Sequence, residues 1–439
     1  MTYQYPSYYH DFQCISKDCP DTCCQGWNIS IDPESLRHYR RILHPSPRTE
    51  SADDSDSPAS HNTPESPSCS HSPQASSFSH FSQASLKPSP AFLRRFRKAI
   101  DFRRRTIRLS NRRCPLLTEK NLCGMYLHLG KDSLCRTCRI YPRHQEEFGS
   151  LREISLSLSC PEAARIILSQ KTNPRMKTRQ TAKMCPSSQQ VDEDMLAWLI
   201  HVREALLNIL WRTDCSLETS VSMALAFSHD LQRRYSKGCF HRHNHFCPEK
   251  AGQVLNTLSQ AYLSEHATPR FTQTLSSRIT SEETVPYSSC QWLSSLLKLY
   301  GTLEPVVEIW PWLINLCQNS QNIQSYLKSP FSPTAYDNDR LPEKQLLTYF
   351  IQVYFLGAIY DDNLYHKVRF AAVSWLTIRL MAGSLVYGWT DSRLIQAAYL
   401  YSRQVENYDQ NLDILFHGLS TEKCFRLLPF LSFLNPEII

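Results

Sequence analysis

The sequence predicts a mainly α protein, with a loop-rich cysteine module followed by a helical C-terminal domain. Three observations predict it. Cys14, Cys19, Cys23 and Cys24 fall within eleven residues, and Cys114, Cys123, Cys135, Cys138 and Cys160 follow. Thiols this dense in a chain without a secretory signal hold a soft metal more readily than they build a disulfide framework. Beyond about residue 185, apolar residues recur at helical spacing to the end of the chain. Only 11 of 439 residues are Gly, which argues against Gly-rich loop architectures.

Hydrophobic residues make up 41% and aromatics 11%, enough for a sizeable core in two or three domains. The net charge of +7 suits acidic partners without demanding nucleic acid, and none is expected. The 17 cysteines are odd in number, and the chain opens Met1-Thr2-Tyr3-Gln4-Tyr5 with neither a basic n-region nor an apolar h-region. A cytoplasmic setting, where thiols stay reduced or bind metal, is therefore expected. Residues 349–360 are too few to span a bilayer and Arg379 interrupts residues 370–389, so no transmembrane segment is expected.

Taken in order, residues 1–31 read as a loop-rich cysteine segment. Asp32-Pro33-Glu34 then starts a helix, with Asp as N-cap, Pro in the first helical position and Glu in the first turn. Leu36, Tyr39 and Leu43 give it an apolar stripe, and His44-Pro45 ends it. Residues 45–90 collapse to Ser, Pro, His and Asp and read as a disordered insert, with Cys69 a bystander inside it. Residues 92–113 carry ten Arg and Lys against Asp101, with Leu93, Phe96, Ile100 and Ile107 at helical spacing, which predicts one basic amphipathic helix. The cysteine module thus occupies 1–44 and 91–168, and the helical domain 185–439. Within the latter, residues 191–211, 217–235, 289–299 and 306–317 read as amphipathic helices, and 343–431 as strongly helical and apolar.

Thiolate sites gather four ligands, usually as short-spaced pairs from separate parts of the chain. The candidate ligands are Cys14, Cys19, Cys23, Cys24, Cys114, Cys123 and Cys138, with Cys135 and Cys160 beside them. Adjacent Cys23 and Cys24 point different ways, so both bind only in a cluster or in two centres. More than four candidates favours an iron–sulfur cluster, or two metals, over a single zinc. Only Cys135-x2-Cys138 forms a zinc knuckle, and the ferredoxin run is absent. Cys239-Phe240-His241-Arg242-His243-Asn244-His245-Phe246-Cys247 also presents metal-like donors, but a solvated loop is its default reading.

The segment Cys14…Cys19…Cys23-Cys24-Gln25-Gly26-Trp27 resembles the start of the flagellin lysine-N-methylases, which contain a cysteine-rich module shared with small zinc- or iron-chelating proteins. Cys114-Pro115-Leu116-Leu117, Leu122-Cys123, Thr137-Cys138-Arg139-Ile140-Tyr141-Pro142-Arg143 and Leu158-Ser159-Cys160-Pro161-Glu162-Ala163 fit in the same order. The resemblance is strongest over residues 5–43 and 111–168. It implies methyl transfer from S-adenosylmethionine to the ε-amino groups of flagellin lysines, in the cytoplasm, by a protein with an iron–sulfur cluster or zinc. Flagellin is the implied partner, and an acidic export chaperone suits the basic stretch.

Such chemistry needs a deprotonated amine, at a cost set by its ordinary pKa near ~10.4, and in-line placement of nitrogen and methyl carbon. Gly-x-Gly is absent, so no Rossmann-type cofactor loop is legible. Tyr141 and Arg143 are the candidates for the chemistry, with packing around the metal loop as their competing role. Trp27 and Asn28 carry the same two readings. Residues 349–365, with Tyr354, Tyr360, Asp361 and Asp362, read as helix core and exposed turn, or as an aromatic pocket. The alternative to a methyltransferase is a metal-binding adaptor or redox protein.

Overall fold

The computed structural model describes residues 1–27, 29–44, 88–181, 190–242, 245–281, 287–319, 340–385 and 392–436. The chain is mainly α and divides into two compact units. One comprises Met1–Trp27, Pro142–Ala182 and Ser187–Ile439, and the other Asn28–Tyr141 with Lys183–Pro186. The compositional division follows a different line, since it groups residues 1–27 and 142–168 with the rest of the cysteine module. The Ser/Pro-rich insert, apart from Pro88–Pro90, lies outside the described residues, as do Cys69 and Cys185.

The smaller unit is built on two helices, Pro33–Leu43 and Pro90–Ala99. Asp32 caps the first, its carboxylate accepting from the Ser35 N–H at 2.9 Å, as the sequence signal requires. Ser89 caps the second in the same way, accepting from Phe92 N–H at 3.2 Å. Their apolar faces meet where Tyr39 lies edge-on to Phe96 at 5.1 Å and Phe92 stacks on Phe96. The basic helix predicted over 92–113 ends at Ala99. β-Branched Ile100, Thr106 and Ile107 instead form strands Ile100–Asp101 and Thr106–Ile107, which pair antiparallel. The Asp101 carboxylate accepts from the N–H groups of Arg103 and Arg104, and Arg105 turns the chain at φ 54°. Strand Ile29–Ser30 completes this three-stranded sheet. Turn chemistry outweighed helical periodicity here.

The larger unit contains a four-stranded sheet that periodicity did not reveal. Its order is Arg143–Phe148, Leu151–Leu156, Thr2–Pro6 and Met176–Gln180. The first two form a hairpin through Gly149, whose φ of 54° and close neighbours Glu193 and Val191 leave no place for a Cβ. Thr2–Pro6 runs parallel to Leu151–Leu156 and antiparallel to Met176–Gln180.

The helices of this unit follow the sequence closely. Glu193–Leu210 is capped by Asp192, Leu217–Ser236 by Ser216, and Ser289–Gly301 by a Ser288/Gln291 capping box. Helix Trp310–Gln318 starts later than residue 306. The Val306 and Val307 N–H groups both donate to Gln404 Oε1 at 2.9 Å, and Pro311 stands at the first helical turn. The last third contains helices Leu341–Tyr354, Leu364–Ser384, Ser392–Val405, Asp409–Thr421 and Leu427–Leu434.

Helix Leu364–Ser384 is the hub. It is buried almost all round and packs against Leu217–Ser236, Leu341–Tyr354 and Ser392–Val405. The buried hydroxyls of Ser374, Tyr401 and Tyr300 form a hydrogen-bonded chain there, Ser374 to Tyr401 at 2.7 Å and Tyr401 to Tyr300 at 2.8 Å. Of the metal-like stretch 239–247, His243 and Asn244 lie outside the described residues; His241–Arg242 pairs with His245–Phe246, and Phe240 and Phe246 pack on Trp198. No helix among the described residues is long and apolar enough to cross a membrane.

Candidate functional site

In the larger unit, the N-terminal cysteines meet Cys160. Cys160 is 8% exposed and caps helix Pro161–Leu168, its carbonyl accepting from the Ala164 N–H at 2.8 Å. Burial pushes its thiol up to about 12 against the pull of the Ala163 and Glu162 N–H groups, and Cys19 and Cys14 push it further. Burial likewise raises Cys14, which the N–H of Ser16 lowers and Cys23 and Glu162 raise. Cys19 is raised by burial, with Cys14 adding to it and Arg403 opposing. Cys14 and Cys19 therefore lie within electrostatic reach of each other and of Cys160, and Cys23 within reach of Cys14.

The Cys23 and Cys24 sulfurs are 3.8 Å apart, and the Trp27 indole donates to the Cys23 carbonyl at 2.9 Å. Arg403 steadies this loop from a distant helix. It donates to Asp21 Oδ2 at 2.5 Å and to the Ser159 carbonyl at 2.9 Å. No sequence signal singled out Arg403; only the fold brings it beside the thiols. Asn28 lies outside the described residues.

In the smaller unit, Cys135 and Cys138 flank the first turn of helix Arg136–Ile140. The Cys138 thiol hydrogen-bonds Cys135 and lowers its pKa, helped by the Cys138 and Thr137 N–H groups and opposed by burial and Asp32. Asp32 ties this loop to the first helix, because its Oδ2 also accepts from the Arg136 N–H at 2.7 Å. Tyr39 lies beside both thiols; burial and the charges of Cys135 and Cys138 raise its pKa. Cys114 and Cys123 belong to a turn closed by a Leu117–Cys123 bridge and by the Gly124 N–H donating to the Leu116 carbonyl at 2.9 Å. Gly124 is required there, since a Cβ would stand 2.4 Å from that carbonyl oxygen.

No disulfide forms among the described cysteines. Thiols gathered this way have the donor chemistry of a soft-metal site. As placed, no group of three or more Cys, His, Asp or Glu among the described residues surrounds a single ion.

Arg143 does not pair with a carboxylate among the described residues; its guanidinium lies over the rings of Phe12 at 5.2 Å and Tyr9 at 5.7 Å. The Tyr141 N–H closes helix Arg136–Ile140 by donating to the Thr137 carbonyl at 3.2 Å. Tyr349 and Tyr354 converge on a carboxylate that sequence reasoning missed. Glu406 Oε2 accepts from Tyr349 at 2.8 Å and from Tyr354 at 3.0 Å, and burial raises the pKa of this acid. Tyr8 and His144 lie nearby and line a cavity of about 20 Å³, room for one water, together with Glu153 and Gln352.

Residues 203–433, more than half of the chain, match the family described as FliB lysine N-methylase C-terminal domain. The chain belongs to this family. Glu406, Tyr349 and Tyr354 lie inside the FliB-matched segment, and all nine candidate cysteines lie before it.

Three relatives are similar over part of the chain. The flagellar biosynthetic protein FliU of Salmonella muenchen is 27% identical over 168 residues, covering 38% of this chain and 78% of FliU. Lysine-N-methylases of Salmonella choleraesuis (strain SC-B67) and Salmonella typhimurium (strain LT2) are each 28% identical over 199 residues, 44% of this chain. The matched part spans 40% of the length of each of those two. No solved structure matches.

Proposed function

We propose that this chain is a lysine N-methyltransferase that uses S-adenosylmethionine to methylate ε-amino groups of flagellin in the cytoplasm. The observation that carries the reading is the FliB match over residues 203–433, supported by the names of the relatives, two lysine-N-methylases and a flagellar biosynthetic protein. In the reaction the lysine nitrogen displaces the sulfonium. A carbon–nitrogen bond forms as the methyl–sulfur bond breaks, and S-adenosylhomocysteine leaves. The amine proton must go to a base.

Within the family segment, Glu406 suits that role. Its carboxyl binds a proton more readily than usual because it is buried, and Tyr349 and Tyr354 fix its orientation. Aromatic rings around a carboxylate also suit an alkylammonium.

Cys14, Cys19, Cys23, Cys24 and Cys160 of the larger unit, and Cys114, Cys123, Cys135 and Cys138 of the smaller, are proposed as metal ligands, with iron–sulfur as the metal centre and zinc as the alternative. A metal there would draw the raised thiol pKa values down and brace loops that have little regular structure. The exposed Arg94, Arg95, Arg97 and Lys98 suit an acidic protein partner, flagellin or its export chaperone. Intact-mass and peptide mass spectrometry of flagellin from cells with and without the gene tests the reading. Methyl-lysine present only in the parent supports it, and identical lysine masses in both strains refute it.

A further inference from the structure

Helix Leu364–Ser384 opens with a group of side chains that the candidate sites above leave unused. Tyr365, His366 and Arg369 are 9%, 7% and 7% exposed. At about 100° per residue they share an arc of about 100° on the helix, with Arg369 between the other two. Each carries a buried polar atom with no hydrogen-bond partner among the described residues: Tyr365 Oη, His366 Nε2 and Arg369 Nε. Three such atoms within five residues are unusual, because buried polar groups are nearly always paired.

The surrounding contacts sharpen the point. Arg369 donates one Nη1 N–H to the Phe425 carbonyl at 3.3 Å and lays its guanidinium over the Tyr365 ring at 5.0 Å. No carboxylate pairs with it among the described residues. The neighbouring Lys367 is already committed to Asp361 at 2.5 Å. His366 meets the Ser420 hydroxyl through Nδ1 at 3.2 Å, which leaves Nε2 facing the other way. The residues lie in the first two turns of a 21-residue helix, whose N-terminal end is itself positive. Burial lowers His366 to about 3, with Arg369 and Lys367 adding to it; burial also lowers His229, whose ring meets Tyr365 edge-on at 5.2 Å, with Asp230 opposing and Arg369 among the cations that add to it. A guanidinium buried without a counter-charge is costly, and a protein that keeps one commonly gives it an anion.

We propose that Tyr365, His366 and Arg369 form a binding site for an oxyanion, the carboxylate or phosphate group of a small molecule. Arg369 and Tyr365 offer donors, and so does His366 Nε2 in the tautomer whose Nδ1 accepts from Asn363 Nδ2 at 3.5 Å, since the Ser420 hydroxyl gives its proton to the Phe416 carbonyl. The Arg369 guanidinium only donates, and with the Tyr365 hydroxyl turned to donate beside it the group suits an acceptor-only ligand. The site lies within the FliB segment, yet its test requires no methyl transfer.

The experiment follows the unfolding temperature of the full chain, dialysed into chloride, during titration with inorganic phosphate or with methionine at constant ionic strength. The site predicts a saturable rise with at least one of them. Phosphate alone marks a free or esterified phosphate, and methionine alone an amino-acid carboxylate. Arg369→Met should abolish the rise and unfold no earlier than the parent in chloride, because it removes an uncompensated buried charge. Tyr365→Phe keeps the ring under the guanidinium and should weaken binding about fivefold. This second variant decides the matter should Arg369→Met not fold. The absence of any saturable rise in the parent, or an equal rise in the variants, overturns the proposal.

Discussion

Replacing Arg203 tests how the sheet of the larger unit is fastened to its helices. Arg203, on helix Glu193–Leu210, grips Glu153 of strand Leu151–Leu156 with two hydrogen bonds of 2.8 and 2.7 Å, and donates to the Gln352 carbonyl at 3.1 Å. Both side chains are nearly enclosed, 4% and 8% exposed, so solvent screening is slight. Arg203→Met leaves a buried carboxylate without its counter-charge, which costs about 3–5 kcal/mol. Removing both charges with Arg203→Met and Glu153→Leu together removes that penalty, and the double variant is predicted to recover most of the loss. Urea unfolding of the four proteins of this cycle measures the coupling. A loss under about 1 kcal/mol for Arg203→Met, within the range of exposed pairs, would refute the reasoning. So would a double variant as unstable as the sum of the single ones.

Other consequences follow from the same contacts. Burial raises the Glu406 pKa, so the folded chain holds this proton more tightly than the unfolded chain. That stabilisation is fully present below the unfolded-state pKa and is lost as pH rises through the folded-state value. Unfolding free energies of the parent relative to Glu406→Gln should therefore fall across that interval, and a difference constant with pH would contradict the burial argument. Gly124→Ala drives a Cβ to 2.4 Å from the Leu116 carbonyl oxygen, so chemical denaturation should show a loss of about 1–3 kcal/mol in the smaller unit; an unchanged midpoint would show that the turn yields freely. Cys160→Ser and Cys135→Ser should each lower the iron or zinc recovered per chain by elemental analysis after anaerobic purification, whereas undiminished metal would remove those thiols from the ligand set.

Helix starts were legible because their chemistry is local. Asp32 sits beside the N–H group it caps and was read from Asp32-Pro33-Glu34, while apolar spacing placed the helices that Asp192, Ser216 and Ser288 cap within about two residues of their starts. The four-stranded sheet was not legible for the opposite reason. Thr2–Pro6 pairs with Leu151 and its neighbours, about 150 residues away, and strand Met176–Gln180 carries polar side chains on both faces. Its inner strand even buries Arg152 and Glu153, the first paired with Glu147 across the hairpin and the second with the distant Arg203. At residues 100–107 the apolar spacing fits a helix, yet Asp101 caps a turn and β-branched neighbours pair as strands.

The same distinction divides the candidate site. Cysteine spacing singled out Cys14, Cys19, Cys23 and Cys160; the fold brings Cys14 and Cys19 within electrostatic reach of Cys160, and Cys23 within reach of Cys14. Arg403, more than 240 residues beyond Cys160, and Glu406 beside two tyrosines have no motif to announce them. Their setting is made by a helix returning across the unit.

The most direct test of methyl transfer uses purified chain, purified flagellin and S-adenosylmethionine carrying a deuterated methyl group. The account predicts that flagellin peptides gain labelled methyl on lysine, that S-adenosylhomocysteine accumulates in equal amount, and that Glu406→Gln slows both. Unlabelled lysines after prolonged incubation with folded, metal-replete protein would contradict it.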